Sequence, residues 1–263
     1  MRGLQEPWFP DSTALKKKAR EAHAAYLGAT PFPHAYFDDL FPADLLDKVV
    51  DEFPKVGDRV WVKHYHANSR KVVCTDQVYM GPWTRHAFSL LNHQFFVDFL
   101  QHLTGIAGLI PDPHLWGGGL HQTDRGGRLE VHADFNRHKQ LGLDRRINAI
   151  VFLNRDWKKE YGGYLELWNR DMTRLKTTVA PIFNRTLIFS TSGHSFHGHP
   201  HPPTCPEDQP RRSLALYYYS NGRPEEEKSN AHSTLYQVRP GQPAPESQKK
   251  KKLSAKIRRL FSR

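Results

Sequence analysis

The sequence predicts a mainly β protein with flanking helices, an antiparallel double-sheet roll with its N-terminal helices packed on one sheet. Two observations carry this. Helix-period apolar patterns are confined to roughly the first hundred residues, where apolar side chains recur every three or four positions. From about residue 114 the texture changes to seven or eight short runs rich in β-branched and aromatic residues, separated by Gly, Asn, Asp and Pro. Such runs read as strands joined by turns. Helices first and many short strands afterwards fit a roll with helices on one side better than an alternating α/β sheet.

The helical part reads in order. Asp11 and Ser12 can cap a helix that runs through TALKKKAREAHAAYL and stops at Gly28, a glycine of the kind that ends helices. A second helix follows Pro42, where ADLLDKVVDEF places Leu45, Leu46, Val49, Val50 and Phe53 on one side. A third spans residues 86–104, with Phe88, Leu91, Phe95, Phe99 and Leu103 on one face. The first hundred residues are therefore expected to be largely helical. The strands that follow are GGLHQT, RLEVHAD, RINAIVFLN, GYLELWN, LKTTVAPIF, TLIFS and RSLALYYYS, with turn residues such as Asp124-Arg125-Gly126-Gly127 and Gly162-Gly163 between them. Residues 198–210, GHPHPPTCPEDQP, are too rich in proline for a strand and read as a loop.

At 263 residues, with 38% hydrophobic and 25% charged residues, one domain with a substantial core is expected over residues 1–240. It divides into a helical lead-in (1–110) and a β-roll core (111–222), followed by a basic tail (241–263). The net charge of +11 is mostly that tail, which holds five Lys, three Arg and one Glu, a net +7 that leaves +4 for the rest. A body so weakly basic argues against a nucleic-acid-binding core. In KKKKLSAKIRRLFSR, Leu253, Ile257, Leu260 and Phe261 lie opposite a basic face. Such a segment can lie on an anionic membrane or dock on an acidic partner; the alternative is a solvated tail. Two distant cysteines, Cys74 and Cys205, read as unpaired thiols. With no secretory h-region at the start and no run of roughly 18 apolar residues, the expected location is cytoplasmic. Nothing in the pattern speaks to the oligomeric state.

The chemistry-bearing residues begin at VHADFN, residues 131–136. Residues two apart on a strand project from one face, so His132 and Asp134 converge on one point, a geometry that suits a metal ion. Downstream, STSGHSFHGHPHPP offers His194, His197, His199 and His201. His197 is the best third ligand, because it follows the strand TLIFS by a short turn and precedes Gly198, which leaves room beside a metal. Two imidazoles and one carboxylate on a triangular face are the arrangement associated with non-haem Fe(II). The bland alternatives are a polar loop or a surface zinc site. In RRSLALYYYS, two arginines open an apolar strand. Arg211 shares a face with Ser213, Ala215 and Tyr217, while Arg212 takes the other, and only one can point inward. An inward arginine needs an anion, and a guanidinium beside a hydroxyl suits a carboxylate; the alternative is an edge-strand arginine paired with a surface acid.

Through these motifs the chain resembles the Fe(II)- and 2-oxoglutarate-dependent oxygenases of the prolyl 4-hydroxylase-like branch, from about residue 114 to 222. PFPHAYFDDLFPADLLDKVVDEFP also looks like that branch's N-terminal lead-in. The resemblance implies a double-stranded β-helix (jelly roll) with iron at one open end. It makes His132, Asp134 and His197 the iron ligands and Arg211, with Ser213, the anchor of 2-oxoglutarate; Arg212 is the fallback. Gln122 and Asn148 are implied contacts of the co-substrate. The implied activity is hydroxylation of an unactivated C–H bond with O2, releasing succinate and CO2. Its substrate would be a prolyl residue in a protein or a small molecule. The rival readings are a catalytically inactive metal-binding or interaction module on the same roll, and a nucleic-acid binder that rests on the tail alone.

Overall fold

The computed structural model describes residues 10–242. The amphipathic segment of the basic tail, including Leu253 to Phe261, lies outside the described residues. Helix α1 (Ser12–Gly28) is capped by Asp11, whose Oδ1 accepts from the backbone N–H of Thr13 at 2.8 Å and Ala14 at 3.2 Å. Gly28 is a helical residue and not a left-handed stop; the helix ends through extended Ala29, just ahead of Pro31, whose ring disfavours helical geometry before it. Strand β1 (His34–Asp38) precedes helix α2 (Ala43–Asp51), which buries Leu45, Leu46 and Val49. Strands β2 (Val62–His66) and β3 (Ser69–Cys74) form a hairpin. Three strands thus occupy a region expected to be largely helical.

The helix expected over 86–104 is two helices, α3 (Pro82–Asn92) and α4 (Gln94–Thr104). His93 between them is extended (φ −76°, ψ 154°), and its Nδ1 accepts from the N–H of Phe95 at 3.5 Å. The apolar stripe Phe88, Leu91, Phe95, Phe99 and Leu103 is nonetheless entirely buried. Its three- and four-residue spacing continues across the break, so periodicity alone does not see the interruption. Pro82 opens α3, and the Glu52 carboxylate accepts from the N–H groups of Trp83 at 3.0 Å and Thr84 at 2.8 Å.

The remaining strands are β4 (Ile110–Pro111), β5 (Gly119–Thr123), β6 (Arg128–Ala133), β7 (Asp144–Phe152), β8 (Leu165–Trp168), β9 (Leu175–Val179), β10 (Arg185–Ser190), β11 (His197–His199), β12 (Arg211–Ser220) and β13 (Leu235–Tyr236). They form an antiparallel, curled sheet in the order β1-β10-β7-β12-β5-β3-β6-β11-β8-β9, the double-stranded β-helix architecture, with β2, β4 and β13 pairing alongside. Helices cover one face. Leu214, Leu216 and Tyr218 of β12 pack with Ile147, Ala149 and Val151 of β7 into a core shared with Phe96 and Phe99 of α4. The Tyr218 hydroxyl donates to the carbonyl of Leu91 at 2.7 Å. Among the described residues, no helix is long and apolar enough to cross a membrane.

Residues 198 and 199, expected in a loop, belong to β11; the loop begins after them. Gly198 serves backbone packing rather than space beside a metal. A Cβ there would come within 2.8 Å of the Leu129 carbonyl oxygen and 2.9 Å of the Val131 Cα. Strand β11 can therefore lie against β6 only with glycine at this position.

Candidate active site

Two neighbouring strands present the histidines. In the β6–β11 ladder His197 lies directly opposite His132, and their ring centroids are 4.6 Å apart. Each ring is turned by its own backbone: His132 Nδ1 meets the Glu130 carbonyl at 2.8 Å, and His197 Nδ1 meets that of Ser195 at 2.9 Å. A carbonyl only accepts, so both Nδ1 atoms carry protons and both Nε2 lone pairs are free. Asp134, immediately after β6, brings Oδ1 to 3.5 Å from His132 Nε2 and Oδ2 to 3.4 Å from His197 Nε2. The donor atoms of the three residues all lie within 4.8 Å of one another. Burial pushes the His197 imidazole down to about 4, although Asp134 opposes it, so this nitrogen stays unprotonated across the neutral range.

The carboxylate is held from behind. Asp134 Oδ2 accepts from Asn148 Nδ2 at 2.7 Å and pairs with Arg145 Nη2 at 3.0 Å. Arg145 also donates from Nε and Nη2 to Asn148 Oδ1, at 2.9 and 2.7 Å, and stacks 3.4 Å from the ring centre of Tyr217. Burial alone would raise the Asp134 carboxyl, but the Arg145 guanidinium and the two imidazoles hold it well below the usual range. Asn148, expected to touch a co-substrate, orients the aspartate and also lines the cavity.

At the other end of the cavity lies Arg211, 5% exposed. Its Nε donates to the carbonyl of Gly163 at 2.8 Å, and its guanidinium lies 5.0 Å from the ring centre of Phe152. Gly163 has φ +65°, and a Cβ there would approach the Arg211 Cδ at 3.3 Å, so glycine answers both constraints. No carboxylate of the described residues lies within ion-pair distance of Arg211. Burial alone lowers its pKa, to about 10. Ser213 lines the same space. Arg212 points the other way, over Phe53, with Nε 3.4 Å from Gln122 Oε1. Gln122 accompanies it: its amide donates to Asp124 Oδ1 at 2.8 Å, while His121 and Thr123 on either side line the cavity. The period of two along β5 turns Gln122 away from the site, a correction to the expectation.

Three further charged or titratable residues belong to the site without having been anticipated: Lys71 and His121 line the cavity and Arg145 pairs with Asp134, while His199, one of the four histidines offered as a third ligand, lines the cavity too. Arg145 carried a signal of the same kind as Arg211, an arginine opening an apolar strand. Lys71 sits on β3, in the segment expected to be helical, and so carried none.

Residues 118–219 match the family model of the 2OG-Fe(II) oxygenase superfamily. Over those residues the chain carries a domain matching that superfamily. Solved structures share the fold at low identity. A Pseudomonas putida prolyl-4-hydroxylase is 14% identical, with a TM-score of 0.57 over 78% of this chain and 100% of that one. A Trichoplax adhaerens prolyl hydroxylase, in complex with a hypoxia inducible factor oxygen degradation domain peptide fragment, is also 14% identical, with a TM-score of 0.55 over 79% and 91%. The non-heme alpha ketoglutarate dependent carbocyclase SnoK from nogalamycin biosynthesis is 10% identical, with a TM-score of 0.54 over 89% and 92%. The oxygenase is an Fe(II)- and 2-oxoglutarate-dependent dioxygenase. Two observations fit it to that metal and co-substrate: both histidines are fixed by backbone acceptors with Nε2 free toward a carboxylate, and a buried arginine in the same cavity has no acidic partner among the described residues.

Proposed function

We propose that His132, Asp134 and His197 hold Fe(II), and that Arg211 with Ser213 holds the distal carboxylate of 2-oxoglutarate. The enzyme would then hydroxylate an unactivated C–H bond of a prolyl residue in a protein or of a small molecule. The observation that carries this reading is Arg211 itself. A buried cation without a counter-ion costs several kcal/mol, and the nearest remedy is an anion brought in by a ligand. When bound, iron and 2-oxoglutarate supply the oxidising chemistry, in which O2 and the co-substrate become succinate and CO2 and one oxygen atom enters the substrate as hydroxyl.

The chain's own residues contribute position and charge. Glu130 and Ser195 set the two imidazoles through their carbonyls. Arg145 and Asn148 hold the aspartate through Oδ2, and Oδ1 accepts no hydrogen bond from either. Phe189, 4.7 Å from the His197 ring centre, keeps that side apolar. Positioning of this kind is the protein's share of such catalysis. The test is succinate release: it should require both Fe(II) and 2-oxoglutarate, and Arg211→Ala should raise the KM for 2-oxoglutarate far more than it weakens metal binding. A KM unchanged in that variant rejects the anchor.

The apolar core shared by helices and strands supports reading residues 1–240 as one domain. Two buried, unpaired cysteines, Cys74 and Cys205, support a reducing, cytoplasmic setting.

A further inference from the structure

Beyond the metal-ligand side of the site opens a second cavity, about 450 Å³, walled by Val62, Val73, Leu115, Trp116, Phe135 and Tyr236, with His132 and Asp134 at its inner end. That size suits a small molecule. Lys71 lines both this cavity and the one containing Arg211. Its ammonium lies 3.4 Å from His121 Nδ1, and His121 Nε2 faces the carbonyl oxygens of Gly117 and Gly118 at 3.2 and 3.3 Å. Those carbonyls place the His121 proton on Nε2 and leave Nδ1 to accept from the lysine. One ammonium proton is thereby engaged and the others face the cavities. No carboxylate of the described residues lies within ion-pair distance of Lys71.

Charge pairing then identifies what is missing. Asp134 is the one acidic side chain that lines either cavity, and Arg145 already holds it. On the reading above, on which this inference rests, the distal carboxylate of 2-oxoglutarate goes to Arg211 and the other end to the metal. Lys71 alone is left facing space, at the junction where the acceptor substrate must approach. A partly desolvated ammonium among apolar and aromatic walls is matched by an anion on an apolar body.

We propose that the acceptor substrate is a small organic molecule bearing a carboxylate, phosphate or sulfate, and that Lys71, oriented by His121, holds that group. Of the two substrate kinds above, this selects the small molecule. Lys71 is then a specificity residue for the acceptor and Arg211 the anchor for the co-substrate, and the two functions separate by mutation.

The test uses benzenesulfonate, an aromatic anion that ligates metals poorly, against uncharged benzyl alcohol. Each is titrated into full-length protein loaded with Mn(II) and saturated with 2-oxoglutarate, and binding is read as paramagnetic broadening of the ring-proton resonances. Benzenesulfonate should bind the wild type at least tenfold more tightly than benzyl alcohol does. Lys71→Met should lose that preference, Lys71→Arg should recover most of it, and 2-oxoglutarate affinity should change less than twofold in either. Arg211→Met should show the reverse pattern. Equal binding of the two probes by the wild type overturns the proposal. So does a Lys71→Met protein, folded by its melting curve, that keeps the preference or loses 2-oxoglutarate instead. If Arg211→Met leaves 2-oxoglutarate binding intact, the anchor reading fails on its own, separately from the Lys71 result.

Discussion

The two faces of β12 differ as sharply as any two regions of the molecule, although they alternate residue by residue. One face carries Leu214, Leu216 and Tyr218 into the apolar core beneath the helices. The other carries Arg211, Ser213, Ala215 and Tyr217 along the cavity. A strand's period of two lets ten residues do both jobs at once, and a one-residue slip would exchange them. The lesson is that burial has two meanings here. On the helix side it excludes water from hydrocarbon; on the cavity side it strips water from charged groups. Substitutions on the two faces should therefore fail in different ways.

The largest difference is expected at the proposed metal ligands. His197→Ala should reduce iron-supported succinate release to background while the melting temperature changes little. The imidazole touches mainly other ligands and Phe189, and the roll is held by apolar contacts. Residual turnover restored by added metal alone would remove His197 from the ligand set. On the opposite face, Leu216→Ala should cost about 2–5 kcal/mol by cavity formation, lowering the melting temperature by several degrees. The KM for 2-oxoglutarate should stay where it was. A shifted KM in that variant would show that the two faces are mechanically coupled rather than independent.

The architecture was legible because strand and helix periods change sharply near residue 114, and the candidate ligands because spacing of two on β6 puts His132 and Asp134 on one face. What the period could not show was partnership. Arg145 and Arg211 look alike in sequence, each opening an apolar strand, yet one meets an aspartate and the other meets no acid among the described residues. Gln122, implied only by the resemblance, alternates along β5 with His121 and Thr123, and it is these two that line the cavity. Lys71 carries no signal because VKHYHANSRKVVC, alternating around a short turn, lies in a region whose prevailing pattern is helical. That segment contributes β3, which fills the gap between β5 and β6 and so delivers Lys71 to the site.

A finer contrast separates the two buried arginines. Arg145→Met should weaken Mn(II) binding about 10- to 100-fold, the usual range for a group that orients a ligand, because Asp134 loses its partner while Asn148 still holds it. The affinity of the metal-loaded protein for 2-oxoglutarate should change much less. Calorimetry of each binding step separates the outcomes. Equal losses in both steps would mean that Arg145 supports the whole cavity and not one carboxylate.

The smallest effect, and the most discriminating, concerns pH at Lys71. Burial lowers its ammonium to about 8, with Asp134 opposing the shift and Arg211 and Arg145 adding to it. His121 and His64, both themselves lowered first by burial and then by Lys71, and His199, lowered by burial, then Arg211, then Lys71, also face it. The unfolded chain would titrate this lysine near 10.4 and so binds more protons than the folded one between about 8 and 10.4. Stability should therefore rise with pH across that window, modestly because the side chain is partly open to solvent. The folded ammonium is lost over the same interval, so benzenesulfonate binding should fall as stability rises. Lys71→Met should abolish both slopes together. If thermal melts of the variant keep the rise while anion binding loses its pH dependence, the stability term belongs to another group and only the binding role of Lys71 survives.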